Sequence, residues 1–265
     1  MVCHNLSDFQ RDFGFEQRLN TKRFQYHWII DGQLAAMAGG KIYVWSGEKW
    51  TTLKTKFPLK RQPKLFEDDD LIAFGDCYGE WGGTIYFFEK ASGSIYFTES
   101  TCTNSVSKEK GKYLILSHLG HMTGSSEIKL VENPRNLTKA KKSEINKTKG
   151  GQALGYADQS GAFEKILGFY WIQIFSGFRY NNRQLYLIYL NDLTFLAEIH
   201  GTEIEIVHPL FYDKIYTHNP VTTTYSNHTL INFDFYGTAL DREVSVMIVS
   251  RGKITKLDWN ENHSR

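Results

Sequence analysis

Apolar residues in this chain come in short, nearly continuous runs: IYVW at 42–45, IYFF at 85–88, LYLIYL at 185–190 and VMIV at 246–249. A strand buried on both faces loses the alternation of apolar and polar positions and reads as such a run. Each run is preceded by a second apolar segment and followed by a tight polar turn. After the turn comes a more charged segment, with Lys49, Glu99, Lys253, Lys256 and Asp258 as examples, as expected of an outer strand facing water. The pattern is a repeat, and it predicts small antiparallel sheets in series.

Five copies can be read. The first is LAAMA (34–38), KIYVW (41–45) and KWTTL (49–53), and the second is LIAF (71–74), TIYFF (84–88) and IYFT (95–98). The third, YLIL (113–116) with EIKLV (127–131), shows no obvious outer strand. The fourth is FYWIQIF (169–175), LYLIYL (185–190) and 195–199, and the fifth is LINFDF (230–235), VSVMIV (244–249) and KITKLDW (253–259). First strands begin at 34, 71, 113, 169 and 230, with spacings of 37, 42, 56 and 61 that average 49. That lies within the roughly 40–50 residues of a propeller blade. The expected fold is therefore all-β, a five-bladed β-propeller of three- to four-stranded sheets. It is read as one domain over 1–265, with 1–25 as an N-terminal extension or closing segment and 139–150 as a Lys-rich exposed insertion. The segments 23–30 and 204–207 could supply further strands. Pro58, Pro63, Pro134, Pro209 and Pro220 all fall between the expected strands, as residues without an N–H should.

The stretch GDCYGEWGGTIYFFEKASGSIYFTESTC (75–102) resembles a blade of small, uncharacterised bacterial β-propeller-like proteins, and GGKIYVWSGEKW (39–50) is similar to a kelch blade. The resemblance implies the fold alone. Neither the repeated double glycine of kelch blades nor the Trp-Asp ending of other propellers recurs, so no family's functional residues carry over.

Composition narrows the function. With 31 Lys and Arg against 29 Asp and Glu, the formal charge of +2 gives no long-range attraction for a polyanion, and nucleic acid is not expected as a partner. No apolar run reaches the roughly 18 residues of a membrane span, and the first twenty residues lack the apolar core of a signal peptide. Cys3, Cys77 and Cys102 are too few and too scattered for a disulfide framework, although Cys77 and Cys102 flank one expected sheet and could lie near each other. A cytoplasmic location with reduced thiols is the expectation. Two basic stretches, 54–64 and 139–149, each hold five basic residues and read as solvated connections; the second could be a short helix or disordered.

If the copies are blades, the loops between their first and second strands gather on one face. These carry Asp76, Cys77, Tyr78, Glu80 and Trp81; His118 and His121; Phe178, Arg179, Tyr180 and Arg183; and Tyr236, Asp241 and Arg242. The four glycines of GDCYGEWGG imply positive φ or close backbone approach. Trp81 is expected to fold back as a plug between blades, or else to present an aromatic platform. Asp76 caps its own turn, or pairs with Glu80 as the acid and base of a glycosidase. His118 and His121 are hydrogen-bonded structural histidines, or with Cys77 weak candidate ligands for zinc or iron. Cys77 beside a histidine could also be a nucleophile. The arginines could grip a carboxylate or phosphate, or serve as ordinary loop charges, with Asp241 as one partner. The leading expectation is a noncatalytic binding module without cofactor, engaging another protein through this face, of inhibitor or immunity type. Alternatives are a hydrolase or lyase acting on a sugar or small molecule in a central funnel, and a carbohydrate-binding module using Tyr78 and Trp81.

Overall fold

The computed structural model describes residues 12–24, 26–30, 33–39, 41–53, 64–121, 124–145, 147–191, 193–211, 217, 220–225, 227–233, 244–250 and 252–258. The chain divides into two compact units, 1–61 and 62–265.

In the first unit a short helix, α1 (Phe13–Leu19), is capped by Asp12, whose carboxylate accepts from the Phe15 amide at 2.8 Å. A four-stranded antiparallel sheet follows in chain order: β1 (Tyr26–Ile30), β2 (Gln33–Ala38), β3 (Lys41–Trp45) and β4 (Trp50–Thr52). Trp50 donates its indole N–H to the Leu19 carbonyl at 2.8 Å, and Phe24, Trp45 and Trp50 pack with ring centroids 4.5–5.3 Å apart. These contacts tie the helix end and the following loop to the sheet.

Among the described residues the second unit holds four large sheets and one two-stranded ribbon. Sheet 2 contains β5 (Lys64–Glu67), β6 (Leu71–Cys77), β7 (Gly83–Glu89) and β8 (Ile95–Glu99); sheet 3 begins with β9 (Thr103–Glu109), β10 (Lys112–Leu119) and β11 (Ser125–Val131). An insertion then interrupts sheet 3. It adds β12 (Thr138–Ala140) to the outer edge of sheet 2, forms the small ribbon β13 (Thr148–Lys149) and β14 (Gln152–Ala153), and makes a 3-10 turn, Leu154–Ala157. The Lys-rich stretch is thus partly a strand. Only afterwards does β15 (Glu164–Tyr170) arrive to complete sheet 3 by pairing with β11. Sheet 4 is β16 (Gln173–Tyr180), β17 (Arg183–Leu190), β18 (Leu193–His200) and β19 (Glu203–Phe211), and sheet 5 is β20 (Val221–Thr224), β21 (His228–Asn232), β22 (Val244–Ser250) and β23 (Lys253–Asp258). Among the described residues the fold is all-β, with five antiparallel sheets of four or five strands, one two-stranded ribbon and little helix. Among the described residues no helix is long and apolar enough to cross a membrane.

Three expectations need correction. Pro209 lies inside β19, which it can do because β19 is the outer edge strand of sheet 4 and its register shifts on either side of the Phe195↔Pro209 pair. The third copy's missing outer strand is β15, displaced along the chain by the insertion. The run 169–175 is two strands, because the backbone breaks at Trp171, where φ is +76°. The fourth copy was therefore read one strand out of frame.

Sheets pack face to face through the side chains that the continuous apolar runs supply. Leu116, Ile128 and Leu167 of sheet 3 meet Ile174, Tyr186, Ile188 and Ala197 of sheet 4, all buried. Phe175, Phe178, Leu185 and Leu187 of sheet 4 meet Ile231, Phe233, Met247 and Val249 of sheet 5. Each fully buried Leu, Ile, Val, Met or Phe among them contributes about 1.5–3 kcal/mol.

The first strands of the four sheets, β5, β9, β16 and β20, pack against one another. Their junction is polar. Asn104 on β9 donates to the Phe175 carbonyl on β16 and accepts from the Thr222 hydroxyl on β20 at 2.9 Å. The Thr222 hydroxyl also bonds Ser176 at 2.8 Å, and Thr223 donates to the Lys64 carbonyl of β5 at 3.2 Å. Asn104, Ser176, Thr222 and Thr223 are all buried. The network joins every inner edge strand of the unit and gives their buried polar groups partners.

Candidate functional site

Strands alternate in direction, so links from second to third strands, and from fourth strands to the next sheet, emerge at one end of a sheet. Between β6 and β7 this link is Tyr78–Gly82, and between β10 and β11 it is 120–124. The two meet: His121 Nδ1 lies 3.7 Å from Glu80 Oε2, both side chains exposed. The link from sheet 2 to sheet 3 joins them, since Cys102 is disulfide-bonded to Cys77 with their Cα atoms 4.4 Å apart.

The disulfide overturns the expectation of reduced thiols, and with it a nucleophilic or metal-binding Cys77. His118 is a structural histidine. It is buried, its Nδ1 is 3.1 Å from the Ser126 hydroxyl, and its ring meets Phe175 edge-on at 5.6 Å. Ser126 in turn accepts from the Ile174 amide at 2.9 Å and donates to the Ile172 carbonyl at 3.2 Å, fastening sheet 3 to the start of sheet 4. His118 and the exposed His121 therefore have different environments.

Asp76 and Glu80 are also separated in kind. Asp76 is buried in its hairpin, accepting from the Thr84 amide and the Tyr86 hydroxyl, each at 2.8 Å. Burial outweighs these bonds and pushes its carboxyl up to about 6. Tyr78 is pushed up to about 12 by its own burial and by the nearby Asp76 charge. Trp81 does not plug a gap between sheets. It closes the 3-10 turn Gly79–Trp81 and is 59% exposed.

The glycines act as expected, two by backbone conformation and one by proximity. Gly79 and Gly82 have φ of +63° and +90°. At Gly83 a Cβ would come within 2.5 Å of the Ser100 carbonyl and 2.6 Å of the Asp76 carbonyl. Gly155 is held as tightly: a Cβ there would come within 2.6 Å of the Glu99 Cα, and its N–H bonds the Thr84 hydroxyl at 2.9 Å. These close approaches seat the 154–157 turn on sheet 2 and set Tyr156 against Gly82.

Arg179, Tyr180 and Arg183 flank the turn between first and second strands, at the opposite end of the sheets from Trp81. Arg179 lies 3.7 Å from Glu109, beside the β9–β10 turn, and Arg183 pairs with Glu198 on the neighbouring β18. Phe178 is 2% exposed and belongs to the core between sheets 4 and 5, so it is no surface anchor. Tyr236, Asp241 and Arg242 lie outside the described residues.

What does gather at the Trp81 end is a cleft of about 250 Å³ between sheets 2 and 3. Ser125 and Glu127 of β11 line it with Glu99, Thr101 and Lys165. Tyr156, Phe169 and Tyr170 form its aromatic walls. Beneath it the buried Lys129 binds Glu99, the Glu99 carbonyl at 2.7 Å, and Glu127 at 2.9 Å. Lys165 bonds the other oxygen of Glu127 at 2.5 Å, and Thr101 donates to Glu99 at 2.8 Å. Burial tends to raise the Glu127 pKa, but the hydrogen bonds from Lys165 and Lys129 prevail and hold it below the usual carboxylate range.

Large aromatic side chains stand out of this end: Tyr156 is 50% exposed, Tyr170 76% and Trp171 70%. Trp171 is held by its amide to the Gly124 carbonyl at 3.2 Å, in a left-handed backbone conformation that a bulky residue rarely adopts. None of Glu99, Glu127, Lys165, Tyr156, Tyr170 or Trp171 was a sequence candidate. The signal available was opposite charge at alternate positions of one strand, Glu127 and Lys129, beside a Tyr-Trp pair.

No protein-family model matches the chain, and no curated protein does. Among solved structures, the extracellular domain of a hybrid two-component system from B. thetaiotaomicron is similar at a TM-score of 0.40 and 13% identity, over 91% of this chain and 28% of that one. The chain thus spans less than a third of the length of the structure it matches.

Proposed function

We propose that this chain is a noncatalytic binding module built as a five-bladed β-propeller, and that it engages its partner at the aromatic-rimmed cleft between sheets 2 and 3. The blade reading is supported by five sheets of the same up-and-down strand order, four of which meet through their first strands. The observation that carries the functional reading is the concentration of exposed Trp81, Tyr156, Tyr170 and Trp171 at one end of two adjacent sheets. Exposed aromatic groups of this kind mark recognition surfaces.

The noncatalytic part rests on how the candidate acids and nucleophiles other than the exposed Glu80 are occupied. Asp76 is buried with both oxygens engaged, Cys77 is in a disulfide, and Glu99 and Glu127 are held by Lys129 and Lys165. The Cys77–Cys102 bond favours an oxidising compartment over the cytoplasm. Affinity capture from native extracts with the full chain and a Trp81→Ala, Trp171→Ala double variant tests the face. Loss of a specific partner in the variant supports it, and identical captures refute it.

A further inference from the structure

We infer that the cleft between sheets 2 and 3 takes a neutral saccharide, one ring of an oligosaccharide whose neighbouring rings run over the exposed aromatic rim. This rests on the binding-module reading given above and names its ligand.

The charges around the cleft cancel. Glu99 and Glu127 are matched by Lys129 and Lys165 within hydrogen-bonding range, so no net field attracts an anion such as a phosphate or a nucleotide, or a cation. The same groups still offer a dense set of donors and acceptors, joined by the hydroxyls of Thr101 and Ser125. Such a lining would strand an apolar ligand among polar groups it could not satisfy. A sugar ring suits it, because its hydroxyls radiate from the ring edge while its C–H groups form an apolar face.

That face needs a flat aromatic partner, and Tyr156 and Tyr170 supply one on the walls. At about 250 Å³ the cleft is smaller than the roughly 300–1,000 Å³ of pockets that enclose drug-sized ligands. It has room for one ring, and the exposed Trp81 and Trp171 beside it provide further apolar surface for a chain. A side chain as large as tryptophan held in a left-handed backbone conformation marks the rim as a place where local stability has been given up. The ligand could be a free oligosaccharide or a glycan on a protein.

The test is titration calorimetry and tryptophan fluorescence on the full chain with a panel of neutral gluco-, galacto-, manno- and xylo-oligosaccharides, acidic oligosaccharides serving as the contrast. Tyr170→Ala is the main variant, because an exposed ring can be removed without unfolding the sheet; Ser125→Ala is the second. At least one neutral oligosaccharide should bind, and Tyr170→Ala should weaken it about tenfold with the melting curve unchanged. No binding across the panel, binding of acidic sugars alone, or binding indifferent to both variants overturns the inference. In the capture experiment, a partner lost from the Trp81→Ala, Trp171→Ala variant but retained after enzymatic deglycosylation of the extract, together with no binding across the panel, would leave the binding face standing and remove the saccharide. A partner that disappears on deglycosylation supports the saccharide and identifies a protein-borne source.

Discussion

Replacing Asp76 with asparagine should stabilise the protein above neutral pH and do nothing for it in acid. Asp76 is buried, and its carboxyl is raised from 3.8 to about 6 by loss of hydration, despite bonds from the Thr84 amide and Tyr86 hydroxyl. A carboxyl whose folded pKa exceeds its unfolded value binds more protons in the folded state. Its contribution to stability is complete below about pH 4 and is lost as the pH climbs through about 6. Moving the carboxyl from 3.8 to about 6 corresponds to about 3 kcal/mol. Asparagine reproduces the protonated form: its oxygen accepts from Thr84, its amide faces the Tyr86 hydroxyl, and that hydroxyl can rotate to accept. Urea unfolding of both proteins at pH 4, 6 and 8 gives the difference directly. It should be near zero at pH 4 and approach about 3 kcal/mol in favour of Asp76→Asn at pH 8, or roughly 6–12 °C in melting temperature. Glu67, Asp68, Glu127 and Asp158, whose pKa values are lowered, weaken the fold on acidification in both proteins and cancel in the comparison. Carboxyl carbon NMR should place the Asp76 midpoint near 6. A midpoint near 4, or a variant less stable than wild type at pH 8, would refute the reasoning.

The other predictions concern the supports of the site. Reducing the Cys77–Cys102 bond, or replacing Cys102 with serine, opens a loop of 25 residues and should cost about 3–4 kcal/mol, read as a lower urea midpoint with reductant than without. Asn104→Ala leaves the Phe175 carbonyl without its donor and the Thr222 hydroxyl without its acceptor, at a cost of about 1–3 kcal/mol by the same unfolding measurement. Gly155→Ala pushes a methyl group into the backbone at Glu99 and should cost about 1–3 kcal/mol while displacing Tyr156, seen as altered amide shifts around 82–84 and 154–157.

The sheets were legible because their buried strands leave unbroken apolar runs, and the IYFF and LYLIYL segments lie inside β7 and β17 as read. First strands were harder to see. Segments such as KLFE at 64–67 and TNSVSKE at 103–109 mix charge and hydroxyl groups, since their interior ends form the polar junction at Asn104 and Thr222 instead of an apolar core. The error in the fourth sheet was local in origin. Nothing in FYWIQIF announces a left-handed Trp171, and merging two strands across it carried Arg179, Tyr180 and Arg183 to the wrong end. Glu99 was read as a charge facing water on an outer strand. In the structure the same carboxylate faces Lys129 of β11 at the edge of a cleft whose other side Lys165 of β15 lines. Charge on a strand shows polarity; what it faces depends here on a residue 30 positions away, on a strand of the next sheet.

The insertion also shields a sheet edge. By laying β12 along β8 it occupies backbone groups that would otherwise be an open template for a second chain, and the same segment carries Tyr156. Trimming it would uncover that sticky margin, so on the binding-module reading proposed above, Tyr156 and its surroundings are varied by exchanging the entire segment with its strand intact.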